Sequence, residues 1–339
     1  MEKEIARRAI FRESGTSLED LLCLHATRRD LFGKDPVFPD SMDLRRVAEA
    51  SGAVARVSAK FKKDLVRLAY TRNAKEDHRK DPTEHDLDGD DREYAVKIHR
   101  GAYDRVKKIY RGERFHPDLW LAIYRYETLG LFSGMSGSVP PKVYRALKRA
   151  DKRAVECFAS FFNATIPGYH GLFPDVEAPF GCKGNFFAIK RMKSLMLCNP
   201  PFERCVMNAF VEHILALLEG SKGQCLAILP AFDTGHRDLL NASGKCRDAY
   251  PTDYDTDVST ERLRTSRFAR WSALFCKENF AYKDMSTMHT IKYTSTLVCL
   301  LSSLDRPRDR VTDSVRRALP RPDILFGTTY SRSYKECNT

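Results

Sequence analysis

Leu195-Met196-Leu197-Cys198-Asn199-Pro200-Pro201-Phe202 joins a short apolar run to a long amphipathic one. The run from Ser194 to Cys198 has the length and composition of a buried strand. Pro200 and Pro201 can neither extend a strand ladder nor sit inside a helix, so a turn is forced after Asn199. From Glu203 to Glu219 apolar residues recur at helical spacing, and Gly220 stands just past the end. A strand, a stiff turn and a helix form the repeating unit of an α/β sheet. In open sheets of that kind, ligands bind where strands end at their carboxyl edge.

The residues on either side extend the pattern. Gln224 to Pro230 is a second uninterrupted apolar run, and Ala154 to Ala159, Asn185 to Ile189, Trp271 to Phe275 and Ser295 to Leu301 are further strand candidates. Strands alternating with helices predict a doubly wound α/β sheet over 151–305. Residues 161–184 and 231–265 read as irregular. The first 150 residues read differently, as a helical domain. Helices are expected at Leu18 to Phe32, over 41–77, over 93–113, from Leu119 to Leu129 and from Lys142 to Arg149. Within 41–77, Val57, Phe61, Leu65 and Leu68 fall at helical spacing. Arg56, Lys60, Lys62, Lys63, Arg67 and Arg72 read there as a solvated face or a phosphate-facing stripe. Residues 75–92 are a charged loop. Its Asp86-Leu87-Asp88-Gly89-Asp90 lacks the closing Glu of a calcium loop, since Lys97 occupies that place. The tail, 306–339, is basic and reads as flexible.

Composition bounds the function. The chain has 339 residues, 42% of them hydrophobic, and a formal net charge of +12. It can bury a sizeable core and suits a polyanionic partner. Cys23, Cys157, Cys182, Cys198, Cys205, Cys225, Cys246, Cys276, Cys299 and Cys337 include no C-x-x-C pair, which argues against a zinc site and suits a reducing compartment. No apolar run approaches the ~18 residues of a membrane span, and the amino terminus carries no apolar signal core. These features predict a nuclear or cytoplasmic protein with no membrane partner.

The turn at Asn199 points to a chemistry. An exocyclic amino group on a base is a weak nucleophile, because its lone pair is delocalised into the ring. The Asn199 side-chain oxygen and the Pro200 carbonyl can each accept one of its N–H bonds, aligning the nitrogen with a methyl sulfonium by positioning and electrostatics. Phe202 can stack on the base, as aromatic side chains do with unpaired bases. Asn199, Pro200, Pro201 and Phe202 are therefore the candidate catalytic residues. The chemistry needs no metal, and no metal-ligand cluster is visible. The bland alternative is an ordinary strand-to-helix turn.

A wider set of ordered motifs resembles the phosphorylated-CTD-interacting factor family. Arg125-Tyr126 lies in its expected helix. Phe158-Ala159-Ser160-Phe161-Phe162-Asn163 stands where the family has Phe-Ala-Ser-Pro-Leu-Asn. Phe173-Pro174-Asp175 and Phe180-Gly181-Cys182-Lys183-Gly184 match its Phe-Pro-Asp and Phe-Gly-Ser-Arg-Gly, and Asn199 to Phe202 match its Asn-Pro-Pro-Phe. Ser266-Arg267-Phe268 and Tyr282-Lys283 follow, so the resemblance spans roughly 119–301. It implies a Rossmann-like methyltransferase sheet behind a helical domain, with S-adenosylmethionine as cofactor and methyl donor. The substrate implied is capped RNA beginning with adenosine, methylated at N6 of the first transcribed nucleotide. It further implies that Phe158, Ala159, Ser160, Asn163, Asp175, Phe180, Gly181 and Gly184 bind the cofactor, and that Arg125, Lys183, Arg267 and Lys283 contact RNA or cap.

The chain departs from the family in places. Phe161-Phe162 replace Pro-Leu, Lys183 replaces Arg, and Ala231-Phe232 replace an acidic–tryptophan pair. Only Trp120 and Trp271 are present, so a tryptophan-rich module for the RNA polymerase II tail is not supported. Two other readings remain. One is methyl transfer to another amino group, on DNA or other RNA adenine or protein glutamine. The other is a catalytically dead capped-RNA-binding module.

Overall fold

The computed structural model describes residues 56–61, 65–71, 94–128, 137–202, 204–231, 239–240, 242, 260–285, 288–292, 294–304 and 309–326. Its first elements are strands. β1 (Arg56–Phe61), β2 (Leu65–Thr71) and β3 (Tyr94–His99) form an antiparallel sheet in that order. This corrects the helices expected over 41–77 and at the start of 93–113. The helical spacing of Val57, Phe61, Leu65 and Leu68 is incidental. What is buried alternates with a period of two, Val66 and Leu68 on β2 and Val96 and Ile98 on β3, while Leu65 and Lys97 face outward. α1 (Arg100–Ile109), capped by His99 accepting from the Gly101 N–H at 3.1 Å, and α2 (Phe115–Thr128) share the core of this sheet through Tyr103, Val106, Leu119, Trp120 and Ile123. The register places Lys60 opposite Arg67 and Arg67 opposite Lys97, so the basic positions form a row across three strands, not a helical stripe. The helix expected at 18–32, the loop at 75–92 and the positions of Lys62, Lys63 and Arg72 lie outside the described residues.

The next elements are β4 (Gly137–Ser138), α3 (Pro141–Ala150), β5 (Val155–Cys157), α4 (Pro174–Glu177), β6 (Leu195–Cys198), α5 (Arg204–Gly220) and β7 (Gln224–Pro230). They are followed by α6 (Glu261–Thr265), β8 (Ala269–Phe275), β9 (Tyr282–Asp284), β10 (Thr290–Ile291), β11 (Thr296–Ser302), α7 (Asp309–Ala318) and β12 (Ile324–Phe326). Six strands form one sheet in the order β12-β8-β11-β7-β6-β5. β5, β6 and β7 are mutually parallel. β11 is antiparallel to both β7 and β8, and β12 is antiparallel to β8. The sheet is therefore mixed and only partly parallel.

Helices cover both of its faces. Val143 and Leu147 of α3 and Val311 and Val315 of α7 share one core with Leu195, Leu197, Leu226, Ile228 and Leu300. Phe210, Val211 and Ile214 of α5 and Leu263 of α6 share the other with Met196, Cys198, Cys225, Ala227 and Leu229. Burial on both faces is why β6 and β7 read as unbroken apolar runs. The α/β expectation holds at this level.

Three local expectations are corrected. Asn185 to Ile189 is no strand: Phe186–Ala188 is a single 3-10 turn, with the Asn185 side chain accepting from the Phe187 N–H at 2.8 Å. The part of the tail over 309–326 is ordered, because Val311 and Val315 of α7, with Leu319 just past its end, are buried beneath an arginine-rich outer face and β12 adds a strand to the sheet edge. Cys157, Cys198, Cys225 and Cys299 are buried free thiols, as small core residues should be, but Cys276 is half of a disulfide, an exception to the reduced set expected.

Candidate active site

Asn199 stands at the carboxyl end of β6, between the carboxyl ends of its parallel neighbours β5 and β7. The strand ends there because Pro200 and Pro201 have no N–H to give. The Asn199 Nδ2 donates to the Gly137 carbonyl at 3.5 Å, at the long end of hydrogen-bond range. That contact orients the amide. The opposite atom, Oδ1, is buried and accepts nothing. An orphaned buried acceptor costs about 1–3 kcal/mol, which makes it a candidate for a donor supplied by a ligand. Phe202, half-buried, meets Tyr282 edge to face, with ring centroids 5.7 Å apart at 74°. Tyr282 and Lys283 belong to β9, the middle strand of a small sheet ordered β10-β9-β4. Ser138 pairs with Lys283 in that sheet, directly after Gly137, so the small sheet brings Lys283 alongside the Asn199 turn.

The chain leaves β5 through Phe158, which adopts φ 62, and its ring packs on Phe186, Phe187 and Phe210. Ala159 donates to the His170 carbonyl at 2.9 Å. Ser160 and Asn163 close a tight turn: the Ser160 N–H donates to Asn163 Oδ1 at 2.7 Å, and the Asn163 and Ala164 N–H groups donate to the Ser160 carbonyl. The Ser160 hydroxyl is buried and has no partner. Gly181 and Gly184 sit at φ 96 and 123, where only glycine is comfortable, and a Cβ on Gly184 would meet nothing within 4 Å.

Two buried acids hold this loop, and neither was singled out from the sequence. Glu177 accepts from the Phe161 N–H at 2.9 Å, the Tyr126 hydroxyl at 3.0 Å and the Phe173 N–H at 3.3 Å. Burial raises its pKa to about 8 against those three donors. Glu156 accepts from the Thr165 and Ile166 N–H groups at 2.8 and 3.0 Å, and burial raises its pKa to about 7. The guanidinium of Arg105, its pKa lowered to about 10 chiefly by burial, donates to the Ala164 carbonyl at 3.4 Å. The signal for Glu177 was legible only in part, as an acid two residues past the Phe173-Pro174-Asp175 motif.

The other expected site residues divide. Phe180 is wholly within the core, against Tyr110 and Phe161, and does not line an open site. Asp175 is exposed on α4. Lys183 is exposed, with its side chain crossing Gly168. Arg125 lies on α2, beside the Tyr126 that reaches Glu177. Arg267 is not brought to Asn199. It precedes β8 and pairs with Glu219 at the end of α5, and the neighbouring Phe268 carbonyl accepts from Ser302. That is the opposite edge of the sheet. Among the described residues no His, Cys, Asp and Glu cluster could hold a metal, and no helix is long and apolar enough to cross a membrane.

Comparison with known proteins adds to this geometry. Residues 100–247 match the family model described as phosphorylated CTD interacting factor 1 WW domain. A human protein named mRNA (2'-O-methyladenosine-N(6)-)-methyltransferase is 34% identical over an alignment of 139 residues that covers 37% of this chain and 20% of that protein. The mouse protein of the same name is 33% identical over 139 residues, with the same shares. The chain thus spans about a fifth of the length of the curated relatives it matches. The family match bears out the resemblance read from the motifs over 100–247, a stretch that holds both the β5 loop and the Asn199 turn; the motifs at 266–268 and 282–283 lie beyond it.

Proposed function

We propose that the chain is an S-adenosylmethionine-dependent N-methyltransferase acting on capped mRNA that begins with adenosine. The acceptor is N6 of the first transcribed 2'-O-methyladenosine beside the 7-methylguanosine cap. The observation that carries this reading is the orphaned Asn199 Oδ1 at the carboxyl end of β6. With Nδ2 turned to Gly137, the oxygen is left to accept from an amino group. The Pro200 carbonyl takes the second N–H, and Phe202 holds the face of the base. The named activity of the relatives supports the same substrate class.

The residues fit the cofactor in one respect: the unpartnered Ser160 hydroxyl and the open space over Gly184 lie on the loop that follows the first parallel strand. When bound, S-adenosylmethionine supplies an electrophilic methyl group. The chain's own residues orient the amino nitrogen and restrict its approach. In this reading the mixed sheet is a Rossmann-like methyltransferase core, which extends past 305 to β12. Residues up to 150 and Lys283 contact RNA, and Arg125 and Lys183 are candidates for the same role. The setting is nuclear or cytoplasmic, where capped RNA is found.

The test is mass spectrometry of nucleosides released from a capped, A-starting RNA after incubation with the protein and S-adenosylmethionine. The expected product is N6-methylated cap-proximal 2'-O-methyladenosine, with uncapped RNA left unmodified. Capped-RNA binding without turnover would make the chain a reader. Transfer to duplex DNA or a glutamine peptide alone would move the substrate elsewhere.

A further inference from the structure

A second feature lies at the other end of the same strands. Where β6 and β7 begin, an open hollow is lined by Arg153, Lys193, Lys222, Gly223 and Gln224, with Asp151 at its floor. Arg153, Lys193 and Lys222 are all exposed, while Gln224 is 4% exposed. The Gln224 side-chain nitrogen is buried and donates to nothing. The floor is fixed. Asp151 accepts from the Arg153 N–H at 2.9 Å and the Leu195 N–H at 3.2 Å, and the Ser303 hydroxyl accepts from Gly223 at 2.9 Å. Among the described residues Asp151 is the only carboxylate lining the pocket, and its oxygens accept from those backbone donors and lie 3.8 Å from the Arg153 guanidinium. Three cations and an unused amide donor around one rigid hollow make a site for an acceptor-rich anion.

We propose that this pocket binds phosphate, and that its source is the backbone of a single-stranded RNA. Placement favours RNA over a small free anion. Arg149 and Lys152, exposed at the end of α3, extend the positive charge beyond the pocket, as a chain of phosphates requires and a single anion does not. Leu195 at the pocket opens β6 and Asn199 at the turn directly follows its last residue, about 13 Å away at the usual strand rise. One strand of RNA passing the outer edge at β5 runs from one to the other. The inference rests on the proposed RNA substrate but concerns a contact remote from the cap.

The experiment measures anisotropy of a labelled, uncapped single-stranded RNA across a salt series. The wild type is compared with the triple variant Arg153→Ala, Lys193→Ala, Lys222→Ala, whose exposed side chains can be removed with the fold checked by circular dichroism. The proposal expects at least tenfold weaker binding at low salt and a salt slope shallower by ~2, at about 0.7 per lost phosphate contact. Unchanged affinity and slope would overturn it. Calorimetry with tripolyphosphate forms the second arm. Tripolyphosphate binding lost in the variant while RNA binding is unchanged would overturn the RNA source and leave a free polyphosphate as the ligand. Methylation of a short capped oligonucleotide is expected to be unchanged in the triple variant. Its absence in the wild type would count against the proposed reaction and not against this pocket.

Discussion

Asn199 and Glu177 show how differently two polar side chains are used in one region. Asn199 has its nitrogen turned to Gly137 and its oxygen left over. Glu177 has every oxygen engaged by the protein itself. In the proposed reaction the first meets the substrate amino group, and the second holds the chain in place. Asn199→Ala is therefore expected to lower the methyl-transfer kcat about a hundredfold or more, the scale on which one oriented polar contact to a reacting group acts. S-adenosylmethionine binding, followed by calorimetry, should stay within about twofold. Full activity in this variant would remove Asn199 from the mechanism. Glu177→Ala strands three donors in a buried core, and should cost about 3–5 kcal/mol of stability in urea unfolding. The Asn199 turn was legible because Asn-Pro-Pro-Phe is a local signal in which the proposed chemistry and the turn are the same residues. The contacts of Gly137 with Asn199 and of Tyr282 with Phe202 were not, because each reaches the turn from a distant element. The burial of Phe180 and the pairing of Arg267 with Glu219 were not legible for the complementary reason: a motif match carries no information on which side of the fold a side chain ends.

Among elements, β6 and β7 were legible because both faces are buried and their sequences are unbrokenly apolar. β2 and β3 were not, since charged residues occupy the outer positions and the buried pairs Val66–Leu68 and Val96–Ile98 are too short to stand out from helical spacing. α7 was hidden by arginines, whose charge says nothing of the apolar stripe beneath them. The end of β5 carries a testable conflict between backbone and side chain. Phe158 holds a left-handed φ of 62, which costs a non-glycine residue about 1–2 kcal/mol, and three phenylalanine contacts offset this. Removing the ring by Phe158→Ala keeps the strain, and Phe158→Gly removes both. Both variants should be less stable than the wild type. The glycine variant, however, should be more stable than the alanine variant by about 1 kcal/mol in chemical denaturation, the reverse of the usual order within a strand. Equal stability would mean that the strain at Phe158 has no energetic weight.

At the scale of the whole molecule, the β5 loop is where the two sheets meet. Phe161, Phe162, Phe173 and Phe180 belong to the same core as Val66, Leu68, Val96 and Ile98 of the first sheet and Trp120 and Tyr126 of α2. Glu156 and Glu177 lie in and under that junction, both with folded pKa values raised by burial, to about 7 and about 8 from an ordinary 4.5. Each carboxyl binds its proton more tightly in the folded chain than in the unfolded one. Folding therefore takes up protons between pH 4.5 and these values, and across that window stability falls as pH rises. Below pH 4.5 both states are protonated and the two groups impose no slope; above about pH 8 both states are ionised and the loss is complete. The junction should thus be tightest in mild acid, with the thermal midpoint declining from about pH 5 to about pH 8. The double variant Glu156→Gln, Glu177→Gln keeps an acceptor at each position and removes the titration, so its thermal midpoint should change less over the same range even if it lies lower throughout. Differential scanning calorimetry of the two proteins across that range reads both slopes. Equal slopes would show that the pH response comes from other groups and that these two acids are ionised in the folded chain.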